Sequence, residues 1–218
     1  MIRLDGVTKW YPSPTGRKYV FRDLDATLPA GQHLALLGRN GAGKTTLLRL
    51  LGGIDHPSEG RILSDGRVSW PVGLTGGFQG SLTGRENTRF VCRINGVTER
   101  EEMREITDYV EDFAEIGDYF DMPVKTYSSG MRARLGFGVS MAFEFDWYLI
   151  DEVMAVGDQS FRGKCEAELE RRRGTSTFII ASHNLQMVRK MCDVGIIVRD
   201  GAVTVHEIGE AVEIYSAQ

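Results

Sequence analysis

Apolar and polar side chains alternate along residues 1–8 (MIRLDGVT) and 19–28 (YVFRDLDATL), the period-two pattern of strands with one buried face. The stretch PSPTG lies between them, and its Pro and Gly suit a turn, so an antiparallel pair is expected. Residues 33–38 (HLALLG) form a short apolar run that leads through glycines into TTLLRLLGG, whose leucines recur at helical spacing. Residues 60–73 (GRILSDGRVSWPVG) read as a further hairpin turning at Asp65-Gly66.

From about Arg85 to Phe145 the pattern changes. The segment TEREEMREITDYVEDFAEIGDYF places apolar residues at helical intervals opposite a charged face, which predicts a helical lobe. Strand signals resume with WYLID (147–151), TFIIAS (177–182) and DVGIIVRDGAVTVH (193–206), the last a hairpin around Asp200-Gly201. Charged helical stretches at 159–173 and 184–192 separate them. Strands alternating with helices predict an α/β fold with a mainly parallel, doubly wound sheet. Residues 1–218 are read as one domain, with 1–84 and 146–218 forming an α/β core that includes an antiparallel part, and 85–145 an inserted helical subdomain.

The residues Gly38-Arg39-Asn40-Gly41-Ala42-Gly43-Lys44-Thr45 fit G-x-x-x-x-G-K-[ST] between the short strand and the helix, the strand, loop, helix order that a phosphate-binding loop requires. Glycines let backbone N–H groups close around phosphate oxygens, and the helix N-terminus adds positive potential. Lys44 reaches the outer phosphates and Thr45 offers a hydroxyl to Mg²⁺, with Thr46 next to it on the same turn. The stretch WYLIDE supplies the complement: a buried strand ending in Asp151 holds a carboxylate where Mg²⁺ sits, and Glu152 acts on the attacking water as base or orienter. His183 closes a third apolar strand and reads as a contact to the γ-phosphate.

With YSSGM (127–131) lying between the glycine loop and WYLIDE, the chain resembles the nucleotide-binding domains of ABC transporters over essentially its whole length, a RecA-like P-loop fold. YSSGM stands where that family carries its signature, LSGGQ in the common form, with Ser129 replacing a glycine and Met131 a glutamine. The resemblance implies that Ser128 gives its hydroxyl, and Ser129 and Gly130 their backbone N–H groups, to a phosphate bound by a second copy of the chain. Ser128 also suits the N-cap of the following helix. By the same resemblance Gln79, in GGFQGSLTGREN, touches Mg²⁺ or the water and flexes with a transmembrane partner. Tyr11, or its neighbour Trp10, stacks on adenine. Asp158 falls at the D-loop, which reads AVGD here in place of SALD.

The stretches DEVMAVGDQSFRGKC, LTGGFQGSLTGREN and YSSGM together resemble the ATPases of capsular polysaccharide exporters, which have relatives in O-antigen and teichoic acid export. Some O-antigen exporters append a carbohydrate-binding domain after HEIGEAVEIYSAQ, so the ending favours the capsule type. The implied function is an ATP hydrolase that needs ATP and Mg²⁺, dimerises around two nucleotides, and serves a polytopic transmembrane permease that handles the polysaccharide. The implied place is the cytoplasmic face of the inner membrane, held peripherally. Contact with the permease falls to the loop Gln79 to Asn87 and the helical lobe, and the apolar Phe78, Leu82 and Phe90 of this stretch either serve that contact or pack inside the lobe.

Charge and composition narrow the alternatives. A net charge of −4 with no run of Lys or Arg gives no general attraction to nucleic acid or anionic lipid. The longest apolar runs, such as TFIIA (177–181) and GIIV (195–198), fall far short of the ~20 residues that span a bilayer, and MIRLDGVTKWY lacks the apolar block of a signal peptide. The chain is therefore expected to stay in the cytosol. Cys92, Cys165 and Cys192 form no CxxC pair and read as reduced, partly buried thiols. A soluble ABC ATPase acting on nucleic acid or ribosomes is expected to show a second such domain or a coiled coil. A small-molecule kinase would leave YSSGM and Gln79 without a role.

Overall fold

The structure is a computed structural model that describes residues 1–72, 77–151 and 158–217. In chain order its elements are β1 (Ile2–Ser13), β2 (Gly16–Leu28), β3 (Leu34–Leu37), α1 (Lys44–Leu51), β4 (Glu59–Ser64), β5 (Val68–Val72), α2 (Gly84–Ile94) and α3 (Arg100–Ala114). There follow α4 (Ser129–Met141), β6 (Trp147–Asp151), α5 (Gln159–Arg172), β7 (Thr177–Ala181), α6 (Leu185–Met191), β8 (Val194–Arg199), β9 (Ala202–Glu207) and α7 (Ile208–Ser216). Two compact units divide the chain: residues 1–71, 145–152 and 173–218 make the first, and 72–144 with 153–172 make the second.

The first unit holds two sheets. One is antiparallel, in the order β2-β1-β4, and the other has six strands in the order β5-β6-β7-β3-β8-β9. The strands β6, β7, β3 and β8 run parallel to one another, and β9 closes the edge antiparallel to β8. The parallel core expected from the alternation of strands and helices is therefore present. Every residue of β3 and β7 is buried, which explains their unbroken apolar runs: a parallel strand covered on both faces has no side to give to solvent. Ile2, Leu4, Phe21 and Leu28 from the antiparallel sheet, Leu47, Leu48 and Leu51 from α1, and Leu34, Leu36, Leu149 and Ile179 from the larger sheet form one apolar cluster.

The hairpin expected at Asp65-Gly66 is not one. Strand β4 pairs with β1, whereas β5 belongs to the other sheet. The turn is held from both sides. The Asp65 amide donates to the Met1 carbonyl at 3.2 Å, while the Arg67 amide donates to Asp146 Oδ2 at 2.7 Å and the Arg67 carbonyl accepts the Asp146 amide at 3.0 Å. Turn chemistry at Asp-Gly specifies a reversal, and the partner of each strand is then chosen by burial. Ser69, Pro71 and Val72 are buried in β5, but β4 keeps only Ile62 partly covered. The Asp200-Gly201 reversal does join a paired hairpin, with φ of 51° and 78° at the two turn residues.

Helix α7 follows β9 without any signal noted in the sequence. It packs directly on β8: a Cβ placed on Gly195 would lie 2.1 Å from the Cβ of Ala211, so glycine there is what lets the helix seat. Ala211 and Val212 are buried at this contact.

The second unit is helical. Phe113 of α3 stacks on Phe137 of α4 with centroids 5.5 Å apart, and Phe161 of α5 meets Phe113 edge-on at 5.8 Å. Arg172 ends α5 with a buried guanidinium that donates to the carbonyls of Met141 at 2.5 Å and Phe143 at 3.3 Å. Helix α5 thus packs with the helices of this unit, which therefore takes in residues beyond the 85–145 span drawn from periodicity. The three cysteines are free and buried, with burial pushing the thiols of Cys165 and Cys192 up to about 12. No described helix is long and apolar enough to cross a membrane.

Overpacking of this kind destabilises by about 1–3 kcal/mol, so Gly195→Ala is expected to lower the melting temperature by roughly 2–10 °C. Adding Ala211→Gly to that variant should recover most of the loss in the same thermal-melt measurement; an unchanged melt in the single variant would show that α7 does not seat there.

Candidate nucleotide-binding site

In the first unit the loop between β3 and α1 is pressed against two strands. A Cβ on Gly43, whose φ is +109°, would stand 2.8 Å from Val20 Cγ1 and 2.9 Å from Phe21 Cζ of β2. A Cβ on Gly38 would stand 2.5 Å from the Val198 carbonyl oxygen of β8. Only glycine fits either place, and the loop then turns into α1 with Gly43 at the N-cap and no side chain capping the first amides. Those donors and the positive end of the helix suit an anion. Lys44 bends back over the loop, its Nζ donating to the carbonyls of Gly38 at 2.6 Å and Arg39 at 3.2 Å.

A cleft of about 330 Å³ gathers most of the residues singled out in the sequence: Tyr11, Asn40, Gly41, Gly43, Lys44, Thr45, Thr46, Asp151 and His183 all line it. Lys18 and Val20, on the strand paired with Tyr11's own, line it too and carried no sequence signal. Gly38 sits at the foot of the loop, and Ala42 lines a neighbouring cavity with Arg39, Arg199 and Ala217. The register explains the convergence: Asp151 of β6 pairs with Ala181 of β7, so Asp151 and His183 leave adjacent parallel strands at the same end. Ligands of such sheets bind outside the carboxyl ends of the strands. Glu152 lies outside the described residues.

Tyr11 and Trp10 lie in different surroundings. Tyr11 lines the cleft; Trp10 does not, and its ring is covered by the Arg17 guanidinium at 4.2 Å. Tyr11 is held by Asp55, a residue no motif pointed to: its hydroxyl donates to Asp55 Oδ2 at 2.7 Å, and Lys9 Nζ donates to Oδ1 at 2.5 Å and to the His56 carbonyl at 2.8 Å. Burial works to raise the Asp55 pKa, but the bonds from Lys9 and Tyr11 outweigh it and hold the carboxyl below its ordinary value. Burial and the bond to Asp55 raise the Tyr11 hydroxyl. His183 Nδ1 lies 2.9 Å from the hydroxyl of Tyr215 on α7, a second partner missing from the sequence reading.

The second unit carries the remaining candidates. Gln79 is exposed, yet its backbone is fixed by the buried Asn87 side chain, which accepts the Gln79 amide at 2.8 Å and donates to the Gln79 and Thr83 carbonyls at 3.1 and 2.9 Å. Phe90 is 47% exposed, whereas Phe78 and Leu82 are half-buried. Ser128 is the N-cap of α4, its Oγ accepting the Met131 amide at 3.2 Å, and Ser129 and Gly130 form the open first turn. Asp158 pairs with Arg134 of the same helix α4 at 2.6 Å. The Phe161 amide, then Arg134, hold its carboxyl below the usual range.

Comparison with known proteins agrees with this geometry. The ABC transporter family model matches residues 21–155. The chain is 54% identical to the polysialic acid transport ATP-binding protein KpsT of Escherichia coli over 203 residues, covering 93% of this chain and 90% of that one. It is 42% identical to the capsule polysaccharide export ATP-binding protein CtrD of Neisseria meningitidis serogroup B over 218 residues, covering 100% and 99%. The fold matches the ATP-binding cassette MJ0796, solved as a dimer in a post-hydrolysis state bound to ADP and Pi, with a TM-score of 0.77 at 21% identity over 95% of this chain and 99% of that one.

Stacking of a base on an aromatic ring contributes ~1–3 kcal/mol, so Tyr11→Ala is expected to weaken ATP binding about tenfold in a fluorescent-nucleotide titration. Trp10→Ala should leave the affinity within about twofold; the reverse ranking would move the adenine contact to Trp10.

Proposed function

The chain belongs to the ABC transporter family, and on that premise we propose that it is the ATP-hydrolysing subunit of an exporter that moves a lipid-linked capsular polysaccharide across the cytoplasmic membrane. The observation that carries the catalytic part is the single cleft in which the glycine loop, Lys44, Asp151 and His183 meet. The transport part is supported by the likeness along nearly the whole chain to the polysialic acid and capsule export proteins.

The roles follow from chemistry. The uncapped amides of α1 and the Lys44 ammonium bind the phosphates, and Tyr11 receives the adenine, its ring steadied by Asp55. Lys44 exchanges its loop carbonyls for phosphate oxygens. Thr45 and Asp151 offer hard oxygen donors of the kind that suits Mg²⁺, the family resemblance adds Gln79 as a further oxygen donor, and the ion when bound would neutralise phosphate charge. Glu152 orients and deprotonates the attacking water, and His183 donates to the terminal phosphate.

A second copy supplies Ser128, Ser129 and Gly130 to that phosphate, so two chains close around two nucleotides. Ser129 keeps a Cβ where the family has glycine, but its contact uses the amide, and the exposed first turn of α4 leaves that amide accessible. Asp158, locked to α4 by Arg134, ties the D-loop to the signature helix. Closure is favoured while the γ-phosphate bridges both copies and is lost on hydrolysis. A polytopic permease, met through the Gln79 to Asn87 loop and the exposed Phe90, turns this motion into export from the cytoplasmic face of the inner membrane.

Lys44→Ala is expected to abolish detectable nucleotide binding; an unchanged ATP affinity would overturn the loop's role. Glu152→Gln should bind ATP normally, turn over about 100-fold more slowly or worse, and accumulate as a dimer by light scattering in the presence of ATP. Full ATPase activity in that variant would remove Glu152 from the chemistry.

A further inference from the structure

Helix α7 bears none of the family's motifs, yet its end lies beside the nucleotide cleft at two points. Ala217 lines the cavity beside Arg39 and Ala42 of the glycine loop, and the Tyr215 hydroxyl stands 2.9 Å from His183 Nδ1, with the two rings 6.5 Å apart at 33°. The position is built rather than incidental. Ala211, one helical turn before Tyr215, is seated against Gly195 of β8 with no room for another carbon, and Val212 beside it is buried. The register of α7 on the sheet is thereby set, and with it the place of Tyr215.

We propose that Tyr215 is a positioning residue of the nucleotide site: its hydroxyl donates to Nδ1 of His183, which keeps the imidazole proton on Nε2, the nitrogen that then donates to the terminal phosphate of ATP. The inference rests on the reading of His183 as a phosphate contact and adds what orients it. A neutral imidazole has one donor and one acceptor nitrogen. A phosphate oxygen only accepts, so the ring serves it neutral only when the proton is on the nitrogen facing it. The two nitrogens diverge across the ring, so engaging Nδ1 turns Nε2 the other way. A phenol is well suited to the task, because its O–H is a good donor, its oxygen a weak acceptor, and it brings no charge. A carboxylate in its place would accept from Nδ1–H and make Nε2 an acceptor, the arrangement of a general base.

The test uses the full chain with Mg·ATP. Tyr215→Phe removes only the hydroxyl and is expected to lower kcat roughly fivefold or more with little change in the KM for ATP, as for loss of one hydrogen bond felt in the reacting complex. Its melting temperature should match that of the parent. The ¹⁵N resonances of His183 should report the Nε2–H tautomer in the parent and a mixture of tautomers in Tyr215→Phe, a change that a purely structural role would not produce. Adding Tyr215→Phe to His183→Ala should cost nothing further. A parental kcat and unchanged tautomer in Tyr215→Phe, with His183→Ala impaired, would overturn the role of Tyr215 and leave that of His183 standing. An equal loss from Tyr215→Phe with and without His183 would also overturn it. Full turnover in His183→Ala would overturn both.

Discussion

Everything in the nucleotide site depends on how closely the loop from Gly38 to Gly43 can approach its neighbours. Two Cβ atoms, at Gly38 and Gly43, would collide with the Val198 carbonyl and with Val20 and Phe21, so a side chain at either place would push the loop off the strands that support it. With glycine at both, the loop seats on β2 and β8 and hands α1 over with its first amides open. An oxyanion is the natural partner for such donors, and water fills the role only until a better one arrives. The buried leucines of α1 fix the helix from below, since Leu47, Leu48 and Leu51 belong to the same apolar cluster as Leu34 and Leu36 of β3. Packing and phosphate binding are thus two faces of one helix.

Around that loop the fold delivers single side chains from separate elements. Asp151 and His183 arrive on adjacent parallel strands, Tyr11 arrives on the antiparallel sheet, and Tyr215 on the terminal helix. Partners steady several of the candidates: Asp55 holds Tyr11 and Tyr215 meets His183, and, in the second unit, Asn87 holds the Gln79 backbone and Arg134 pairs with Asp158. Such supporting bonds cost little to form and matter because a phosphate-transfer site works by positioning rather than by covalent chemistry of its own.

Much of this was legible in the sequence because the residues that line the cleft lie largely in contiguous motifs. The glycine loop, WYLID ending in Asp151, and the closing His183 were each readable from a strand pattern followed by the right side chain, and the parallel core from their alternation with helices. What escaped was non-local. The Asp65-Gly66 reversal carried the same signature as the true hairpin at Asp200-Gly201, but the partner of each strand was decided by Asp146 and by which strand buries Ser69 and Val72. Helix α7 is short, and the fit of Ala211 to Gly195 that fixes it spans two elements. Asp55 and Tyr215 sit outside any motif, and only the folded chain brings them to Tyr11 and His183. The roles expected of Ser128, Ser129 and Gly130 rest on family resemblance; the residues by themselves indicate only a helix cap at Ser128.

The most direct test of the central claim is to isolate the tagged chain from detergent-solubilised membranes of its own host, with ATP trapped by Glu152→Gln, and identify what accompanies it. A stoichiometric polytopic membrane protein, with two copies of this chain in the complex, is the expected result. Recovery from the soluble fraction alone, with ribosomes, nucleic acid or no companion, would leave an ATPase and contradict its assignment to export.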